Sequence, residues 1–370
     1  MSKMYKPRPI WQELPENFKR DLVGRLDFQS RCQLRRCCSQ DKELVDSCPV
    51  MFRIVKIEPD RFAAASSASA ESNLIVEDYA GFSLDKIAHP VDIVHMLTYV
   101  SKHKKNRIGE LRIEVNERHQ LHVSLFVGLY ETDTWKLGVE KFVWTANTGN
   151  TGMFLQMLRF MRPTVLASID LGEQAADENT ELVDTEQWTS APNIQTRGVG
   201  QLAVTQVMHC HRIYARVAKF QLNDIWALIK KFTRTPLPVG AYFDIYSVDN
   251  SFPLQKLLDL FNVLVLNEPI LGYRDHLHTQ RFRVASRELI LVTVVLARGV
   301  RGVICRREHV STDFGSRFPA TRPDRRPLQF GQAWMAEMVV RRDEQQQRAP
   351  LLQLDEEEMR FRDELMRLLR

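Results

Sequence analysis

The sequence predicts a mixed α/β protein, with a small N-terminal three-helix unit ahead of a larger domain of alternating strands and helices. Two observations support this prediction. Residues 14–46 hold three short helical patterns in close succession. Farther along, short apolar strands recur with centres roughly 24 to 30 residues apart, and helical stretches lie between several of them. Alternation of this kind is typical of an α/β architecture.

The first helix of the N-terminal unit has one apolar face. Pro15 suits a first helical turn, because that position has no intrahelical N–H bond to lose. Asp27 ends this helix and can cap the next one. The apolar residues between them recur at helical spacing, and polar residues occupy the other face. These apolar residues are Phe18, Leu22, Val23 and Leu26.

Two further helices complete this unit. The second would contribute Cys32, Leu34 and Cys37, and the third would contribute Leu44 and Val45. Three helices this short bury little apolar surface by themselves. The apolar face of the first helix therefore indicates a partner.

The layout of residues 14–46 resembles the F-box, without a gap. That family opens with a Leu-Pro pair, here Leu14 and Pro15, and has an aspartate where this chain has Asp27. Its apolar positions correspond to Phe18, Leu22, Val23, Leu26 and Leu34. The resemblance implies a three-helix domain that docks the Skp-type adaptor of a cullin–RING ubiquitin ligase.

Two positions depart from the family pattern. Arg31 stands where leucine is usual, and Asp41 stands where tryptophan is usual. With Trp11 ahead of it and residues 46–49 closing it, the segment is similar to the large nematode set of F-box proteins. The resemblance implies an adaptor-facing patch formed by Leu14, Pro15, Phe18, Leu22, Val23, Leu26 and Leu34.

Two other interpretations of the same segment remain open. It can be an ordinary three-helix cap on the larger domain. It can also be a helix-turn-helix DNA reader, since Arg31, Arg35 and Arg36 cluster on the second helix. DNA binding requires a dense basic face, but residues 1–60 carry twelve Lys/Arg against nine interspersed Asp/Glu. A nucleic-acid partner is therefore not expected.

Length and composition set broad limits. The 370 residues allow one small domain and one larger domain, and a net charge of +5 decides little about partners. The longest apolar run, residues 289–297, is shorter than the roughly twenty residues that a membrane-spanning helix needs. The N-terminal residues lack the apolar core of a secretory signal. We expect an intracellular protein, cytoplasmic or nuclear, without a membrane anchor.

The sequence offers no catalytic or metal-binding constellation. The six cysteines form no C-x-x-C pair, and they are expected to be reduced. His209, Cys210 and His211 are consecutive, so their side chains point in different directions and rarely share one ion. Residues 149–152 form a turn, and no Gly-Lys-Ser/Thr follows as a phosphate-binding loop requires. We expect a non-catalytic protein without a cofactor.

Beyond the helices, the chain alternates between strand and helix. Residues 50–58 predict a strand, residues 62–73 an Ala/Ser-rich loop, and residues 92–102 a helix. Further strands are predicted at 111–115, 139–144, 165–171, 194–199, 218–222 and 242–246. Intervening helices are predicted at 153–161, 179–188 and 224–232. This rhythm predicts a degenerate leucine-rich-repeat-like solenoid, and the alternative is an ordinary α/β or α+β domain.

Residues 90–300 also resemble the FTH domain, which follows the F-box in many of those proteins. The resemblance is clearest at Glu186-Gln187-Trp188 and in residues 218–232, where an apolar strand precedes an amphipathic helix. In that family the domain is taken to select the ligase substrate, so the resemblance implies the same role here. It does not identify the residues that bind the substrate.

The C-terminal part changes in composition. Residues 307–354 are rich in arginine, proline and polar residues and predict a linker. Residues 355–370 predict an amphipathic helix that Asp355 caps together with Glu358. The predicted organisation is an F-box at 11–50, a connecting strand and loop at 51–89, an FTH-like domain at 90–306, this linker and this helix.

These inferences predict the substrate-receptor subunit of an SCF (Skp–cullin–F-box) ubiquitin ligase. Its partners would be the Skp-type adaptor, a cullin through that adaptor, and a target protein marked for ubiquitin-dependent degradation. The alternative is an adaptor-independent protein-interaction module in which the helices only cap the repeat domain, as the ends of solenoids require.

Overall fold

The computed structural model describes residues 10–59, 72–115, 136–146, 151–172, 180–200, 202–217, 220–247, 256–257, 276–296 and 298–318. The chain divides into two compact units. The first comprises Met1–Leu202 with Tyr214–Arg216, and the second comprises Ala203–Ile213 with Val217–Arg370.

Four short helices open the first unit. They are α1 (Ile10–Glu13), α2 (Glu16–Arg25), α3 (Phe28–Leu34) and α4 (Ser39–Ser47). The last three are the helices that the sequence predicts, and α1 is an additional turn ahead of them. The mixed α/β class, with a helical N-terminal region ahead of a strand-rich sheet, is confirmed.

Up to Leu202, the described residues of the first unit continue with seven strands. They are β1 (Met51–Pro59), β2 (Ser72–Asp78), β3 (Ser83–Ala88), β4 (Arg107–Val115), β5 (Val139–Ala146), β6 (Ser168–Asp170) and β7 (Asn193–Gly200). They follow the order β7-β6-β5-β4-β1-β2-β3. Parallel pairing joins β1 to β4, β4 to β5, β5 to β6 and β6 to β7. Strands β1, β2 and β3 pair antiparallel.

Helices connect the parallel strands of this unit. They are α5 (Pro90–Lys102), α6 (Thr151–Arg159), α7 (Thr180–Val183) and α8 (Glu186–Ser190). The predicted apolar positions of α5 are buried: Ile93, Val94, Leu97 and Val100. The ring of Phe154 on α6 stacks on Phe142 of β5, with 5.7 Å between centroids. Helices α5 and α6 therefore contribute apolar faces to the core of the sheet.

Among its described elements, the second unit has a helix, an antiparallel sheet and a terminal helix. These are α9 (Leu222–Arg234), β9 (Tyr242–Ser247), β10 (His276–Arg283), β11 (Leu289–Leu296), β12 (Gly299–Arg306) and α10 (Val310–Arg317). The strand order is β10-β11-β12-β9, with antiparallel pairing throughout. The inward residues of α9 are fully buried: Ile225, Leu228, Ile229 and Phe232.

Three predicted elements differ from the structure. The single helix predicted at 179–188 is two short helices, α7 and α8, separated at residues 184–185. The strand predicted at 218–222 lies instead at β8 (Arg212–Val217), where Ile213, Ala215 and Val217 are buried in alternation. Leu222 already belongs to α9. The linker predicted at 307–354 does not begin at 307, because a 3₁₀ turn (Arg307–His309) leads into α10, which buries Val310 and Phe314.

Other predictions remain untested. The helix predicted at 355–370, the loop at 62–73 and most of the predicted linker lie outside the described residues. The leucine-rich-repeat-like description also stays a prediction. Strands β1 and β4 to β7 are parallel as a solenoid requires, whereas β9 to β12 are antiparallel.

Candidate adaptor-docking surface

The candidate docking surface lies on α2, whose two ends are fixed by backbone hydrogen bonds. Pro15 is the N-cap, so the helix begins at Glu16 and not at Pro15 as predicted. The Pro15 carbonyl accepts a bond from the Lys19 N–H at 3.0 Å. At the other end, the N–H of Leu26 donates to the carbonyls of Leu22 and Val23. The apolar side chains of α2 are therefore presented from a helix with defined ends.

A small core holds the helices together beneath α2. Its buried members are Val23, Leu44, Val45 and Cys48, and Trp11 and Leu34 pack against them. Full burial of a side chain of this size stabilises a fold by roughly 1.5–3 kcal/mol. The helical unit thus has its own apolar interior, separate from the residues that α2 exposes.

The seven predicted adaptor-facing residues differ in exposure. The side chain of Phe18 is 48 % exposed, and Pro15 is also exposed. Leu14, Leu22, Leu26 and Leu34 are half-buried. Val23 is 0 % exposed, so it supports the surface from inside and does not itself face a partner. Below, "docking surface" means Leu14, Pro15, Phe18, Leu22 and Leu26.

Arg31, one of the two departures from the F-box pattern, is buried and bonded to three backbone carbonyls. Its Nη2 donates to Gly24 O at 2.9 Å, its Nε to Leu26 O at 3.1 Å and its Nη1 to Pro49 O at 2.7 Å. Carbonyls at the end of a helix lack intrahelical donors and favour a cation. Burial lowers the pKa of the Arg31 guanidinium. Arg31 therefore ties the C-terminal end of α2, through the backbone of Gly24 and Leu26, to Pro49, two residues beyond α4.

Asp41, the other departure, binds a neighbouring aromatic residue. The Trp11 Nε1–H donates to Asp41 Oδ1 at 2.8 Å, which connects α1 to α4. The Lys19 Nζ lies 5.7 Å from the centroid of the Trp11 ring. Because this chain has an aspartate at 41 and a tryptophan at 11, the two residues form a polar link within the helical unit.

Two carboxylates bind the N-terminus of α3. Asp27 caps the helix as predicted, since its Oδ1 accepts from Ser30 N at 2.6 Å, and this bond lowers the Asp27 pKa. Asp78, at the end of β2, accepts from Phe28 N through Oδ2 at 2.8 Å. Its Oδ1 also accepts from the N–H groups of Ala80 and Phe82, each at 2.9 Å. One buried carboxylate therefore joins a helix to the β2–β3 turn.

Aromatic and amide contacts reinforce this joint. The Phe28 ring meets the Phe52 ring of β1 edge-on at 5.1 Å and lies 6.1 Å from the Phe82 ring. The Asn106 side chain accepts from Val50 N at 2.7 Å and donates to the carbonyl of Val100 at 2.8 Å. These contacts fix the helical unit to β1, β2 and α5. Sequence patterns did not predict these contacts because, apart from the Asn106–Val100 bond, they join residues far apart in the chain.

A third joint involves α3, α4 and α5. The guanidinium of Arg35 binds the Asp46 carboxylate through two bonds of 2.6 and 3.1 Å, and lies 5.8 Å from the Tyr99 ring. The Tyr99 hydroxyl donates to Asp46 Oδ1 at 3.3 Å. Burial, followed by the charge of Asp46, raises the pKa of Tyr99 to about 12. The DNA-reader interpretation depended on three arginines. Arg31 is buried and Arg35 is paired with Asp46, so two of the three are engaged within the chain.

The residues that carry the FTH resemblance have structural roles. Thr185 caps α8 by accepting from Trp188 N at 3.2 Å, and Trp188 is fully buried. The buried Gln187 side chain donates to the carbonyl of Met161 at 3.0 Å. This segment therefore stabilises the interior of the first unit.

The described residues hold no metal-binding cluster, no disulfide and no membrane-spanning helix. Within them, no cluster of three or more His, Cys, Asp or Glu is arranged to hold a metal ion. The six cysteines are free thiols, and Cys210 is buried, which raises its pKa to about 12. No helix in the described part of the chain is both long and apolar enough to cross a bilayer.

Comparison with known families agrees with this arrangement. The F-box domain model matches residues 11–53, which cover α2, α3, α4 and the docking surface. The FTH domain model matches residues 123–261. No curated protein and no solved structure matches the chain. The chain therefore carries an F-box domain followed by an FTH domain.

Proposed function

We propose that this chain is the substrate-receptor subunit of an SCF ubiquitin ligase. An F-box domain indicates a substrate-receptor or protein-interaction role and implies binding of a Skp-type adaptor in general. In this proposal the docking surface binds the adaptor, the adaptor connects the chain to a cullin, and the FTH domain selects the target protein. The protein would act inside the cell, in the cytoplasm or nucleus.

The exposure of Phe18 is the observation that supports this proposal most strongly. Its ring lies in the first turn of α2, four residues before Leu22, so the two side chains share one helical face. Leu14 lies in the bend just before this helix. The opposite side of the helix carries Val23, which the small core buries completely. A helix that packs one side and exposes an aromatic ring on the other is suited to bind a partner.

The proposed mechanism requires no active site in this chain. A receptor accelerates ubiquitin transfer by holding the target near a charged conjugating enzyme, which raises its effective concentration and restricts its orientation. Such tethering benefits from a stiff connection between the adaptor-binding helices and the remainder of the chain. The contacts of Phe28 with Asp78 and Phe52 support such a connection within the first unit.

The second candidate function is an adaptor-independent interaction module. The same contacts favour it, because a cap on a sheet would also bond to β1, β2 and α5. A cap would, however, bury the apolar face of α2 within the chain. Phe18 and Pro15 are exposed instead, so the receptor proposal is preferred.

Isothermal titration of the full chain with a purified Skp-type adaptor tests the proposal. The informative variant is Leu14→Ala with Pro15→Ala, which removes the opening of the docking surface. We expect binding by the wild type and at least a tenfold loss in the variant, roughly 1.4 kcal/mol or more. Far-ultraviolet circular dichroism should show that the variant is folded.

The matched control is Ile87→Ala with Val91→Ala. Both residues are exposed apolar residues outside the F-box, at 55 % and 46 %, and the control should bind the adaptor like the wild type. Equal adaptor affinity in all three proteins would reject the docking surface. Absence of adaptor binding by the wild type would reject the receptor function and leave the interaction module.

A further inference from the structure

A cavity of about 420 Å³ opens in the second unit. It lies between the end of α9, residues 235–238, the turn that joins β10 to β11, and β12. Its volume is within the range of roughly 300–1,000 Å³ that is typical of ligand pockets. Apolar side chains and prolines form most of its walls: Phe232, Pro236, Leu237, Pro238, Val284, Ala285, Leu289 and Ile304.

The walls of this cavity are held in place without a ligand. Phe232 is fully buried and meets the Phe243 ring edge-on at 5.0 Å. The N–H of Gly240 donates to the carbonyl of Ile304 at 2.9 Å, and the N–H of Ala241 donates to that of Pro238 at 3.1 Å. The proline-containing segment is therefore bonded to β12, so the cavity is largely preformed.

Basic residues predominate among the exposed neighbours, in the sequence, of the cavity-wall residues. Arg234, Arg283 and Arg287 are exposed, and each lies next in sequence to a residue of the cavity wall. Glu288 is the one acidic residue that directly precedes or follows a wall residue in the chain. We call the three arginines the arginine rim. An apolar hollow beside a basic rim is complementary to an acidic segment that carries an apolar side chain.

We propose that this cavity binds an acidic peptide segment of a partner protein. A bulky apolar side chain of the peptide fills the hollow, and flanking carboxylates lie against the arginine rim. Buried apolar anchors with a charged periphery are the usual source of affinity and orientation in such contacts. A nucleic acid is less suitable, since phosphates alone would leave the apolar walls exposed to water.

This inference rests on the proposed function and specifies the partner: the peptide would belong to the target protein. It also extends beyond the FTH match at residues 123–261. The cavity takes Val284, Ala285, Leu289 and Ile304 from the strands and turn that follow that range. Target recognition would therefore depend on the sheet of β10, β11 and β12 as well as on α9.

The test is fluorescence anisotropy with the full chain and a labelled eight-residue peptide. The peptide has three glutamates on each side of a central leucine–phenylalanine pair. We expect saturable binding that weakens as salt is raised. Arg287→Glu removes part of the rim and Ala285→Trp fills the hollow from its exposed wall, and each should weaken binding at least about tenfold.

Arg298→Glu is the matched control. Arg298 is exposed beyond the far end of β11, so this variant has the net charge of Arg287→Glu with the cavity unchanged. It should bind the peptide like the wild type. A peptide with central alanines should not bind. Lack of binding by the wild type, or equal binding by Ala285→Trp, would overturn the proposal.

Adaptor titration of the same preparations separates this proposal from the proposed function. If Arg287→Glu and Ala285→Trp lose the peptide and keep the adaptor, both proposals are supported. If the wild type binds the adaptor and not the peptide, the cavity assignment alone fails. If it binds the peptide and not the adaptor, the receptor function fails and a peptide-binding module remains.

Discussion

The carboxylate of Asp78 accepts a hydrogen bond from the backbone N–H of Phe28 at 2.8 Å, across fifty residues of sequence. Phe28 is the first residue of α3, and its N–H is one of the donors that a helix cannot satisfy internally. A strand-end carboxylate thus completes the N-terminus of a helix in the F-box domain. This bond joins the F-box domain to the strands of the first unit.

Removing that carboxylate should loosen the joint. Asp78→Ala leaves three backbone N–H groups without their acceptor, so we expect it to lower the free energy of unfolding by about 2–4 kcal/mol. Urea denaturation measures this change. Asp85→Ala, at an exposed position on β3, is the control and should change stability by less than about 0.5 kcal/mol. Equal effects of the two substitutions would contradict the role assigned to Asp78.

Phe18 and Val23 should separate binding from stability. Phe18→Ala removes an exposed ring, so adaptor affinity should fall roughly ten- to a hundredfold with little change in stability. Val23→Ala opens a space in the small core and should cost about 2 kcal/mol of stability, with adaptor affinity near the wild-type value in the folded protein. Calorimetric titration and urea denaturation of both variants check this pair. A loss of stability in Phe18→Ala together with a loss of adaptor affinity in Val23→Ala would contradict these roles.

Arg31 should matter for stability alone. Arg31→Lys keeps the charge, but a single ammonium cannot reach three carbonyls as the planar guanidinium does. We expect a loss of about 1–3 kcal/mol in the free energy of unfolding. Adaptor affinity, measured below the unfolding transition, should stay within about twofold. A large loss of affinity with unchanged stability would place Arg31 on the docking surface.

Lys231 should make the second unit sensitive to alkaline pH. Its ammonium donates to the carbonyl of Cys210, and burial lowers its pKa from 10.5 to about 8. As pH falls, the unfolded chain therefore protonates Lys231 before the folded protein does. The stability that comes from this pKa difference is fully present above pH 10.5 and is lost as pH falls through 8. Cys210, with a pKa near 12, stays protonated in this window.

Lys231→Met isolates this effect, since other groups that titrate cancel in the comparison. The free energy of unfolding of the wild type, relative to this variant, should rise between pH 8 and pH 10 and should be constant from pH 6 to pH 7. Urea denaturation across this range measures it. A difference that does not change from pH 7 to pH 10 would show that the Lys231 pKa is not shifted.

Local patterns predicted much of the fold. The apolar spacing of α2 and α5, the Asp27 cap and the strand β1 depend on neighbouring residues, so periodicity and capping chemistry suffice to find them. The prediction of a strand at 218–222 was wrong because Phe220 and Leu222 are apolar residues of a helix and of the segment just before it. Phe220 is buried just ahead of α9, and Leu222 begins that helix.

Long-range contacts account for what the sequence did not predict. Val23 lies next to Leu22 in the apolar pattern of the first helix, and it is buried because it packs against Leu44, Val45 and Cys48. In the sequence, Arg31 only departs from an apolar pattern. Its role becomes evident in the structure, where its guanidinium bonds to the carbonyls of Gly24, Leu26 and Pro49. The cavity near Phe232 brings together residues more than seventy positions apart, which periodicity cannot reveal.

Analytical ultracentrifugation of the full chain mixed with a Skp-type adaptor and the adaptor-binding domain of a cullin is the most direct test of the receptor function. The proposed function predicts a single complex with one copy of each protein, which disappears when Phe18→Ala replaces the wild type at low micromolar concentration. Sedimentation of the wild-type chain by itself, beside an intact adaptor–cullin pair, would contradict it.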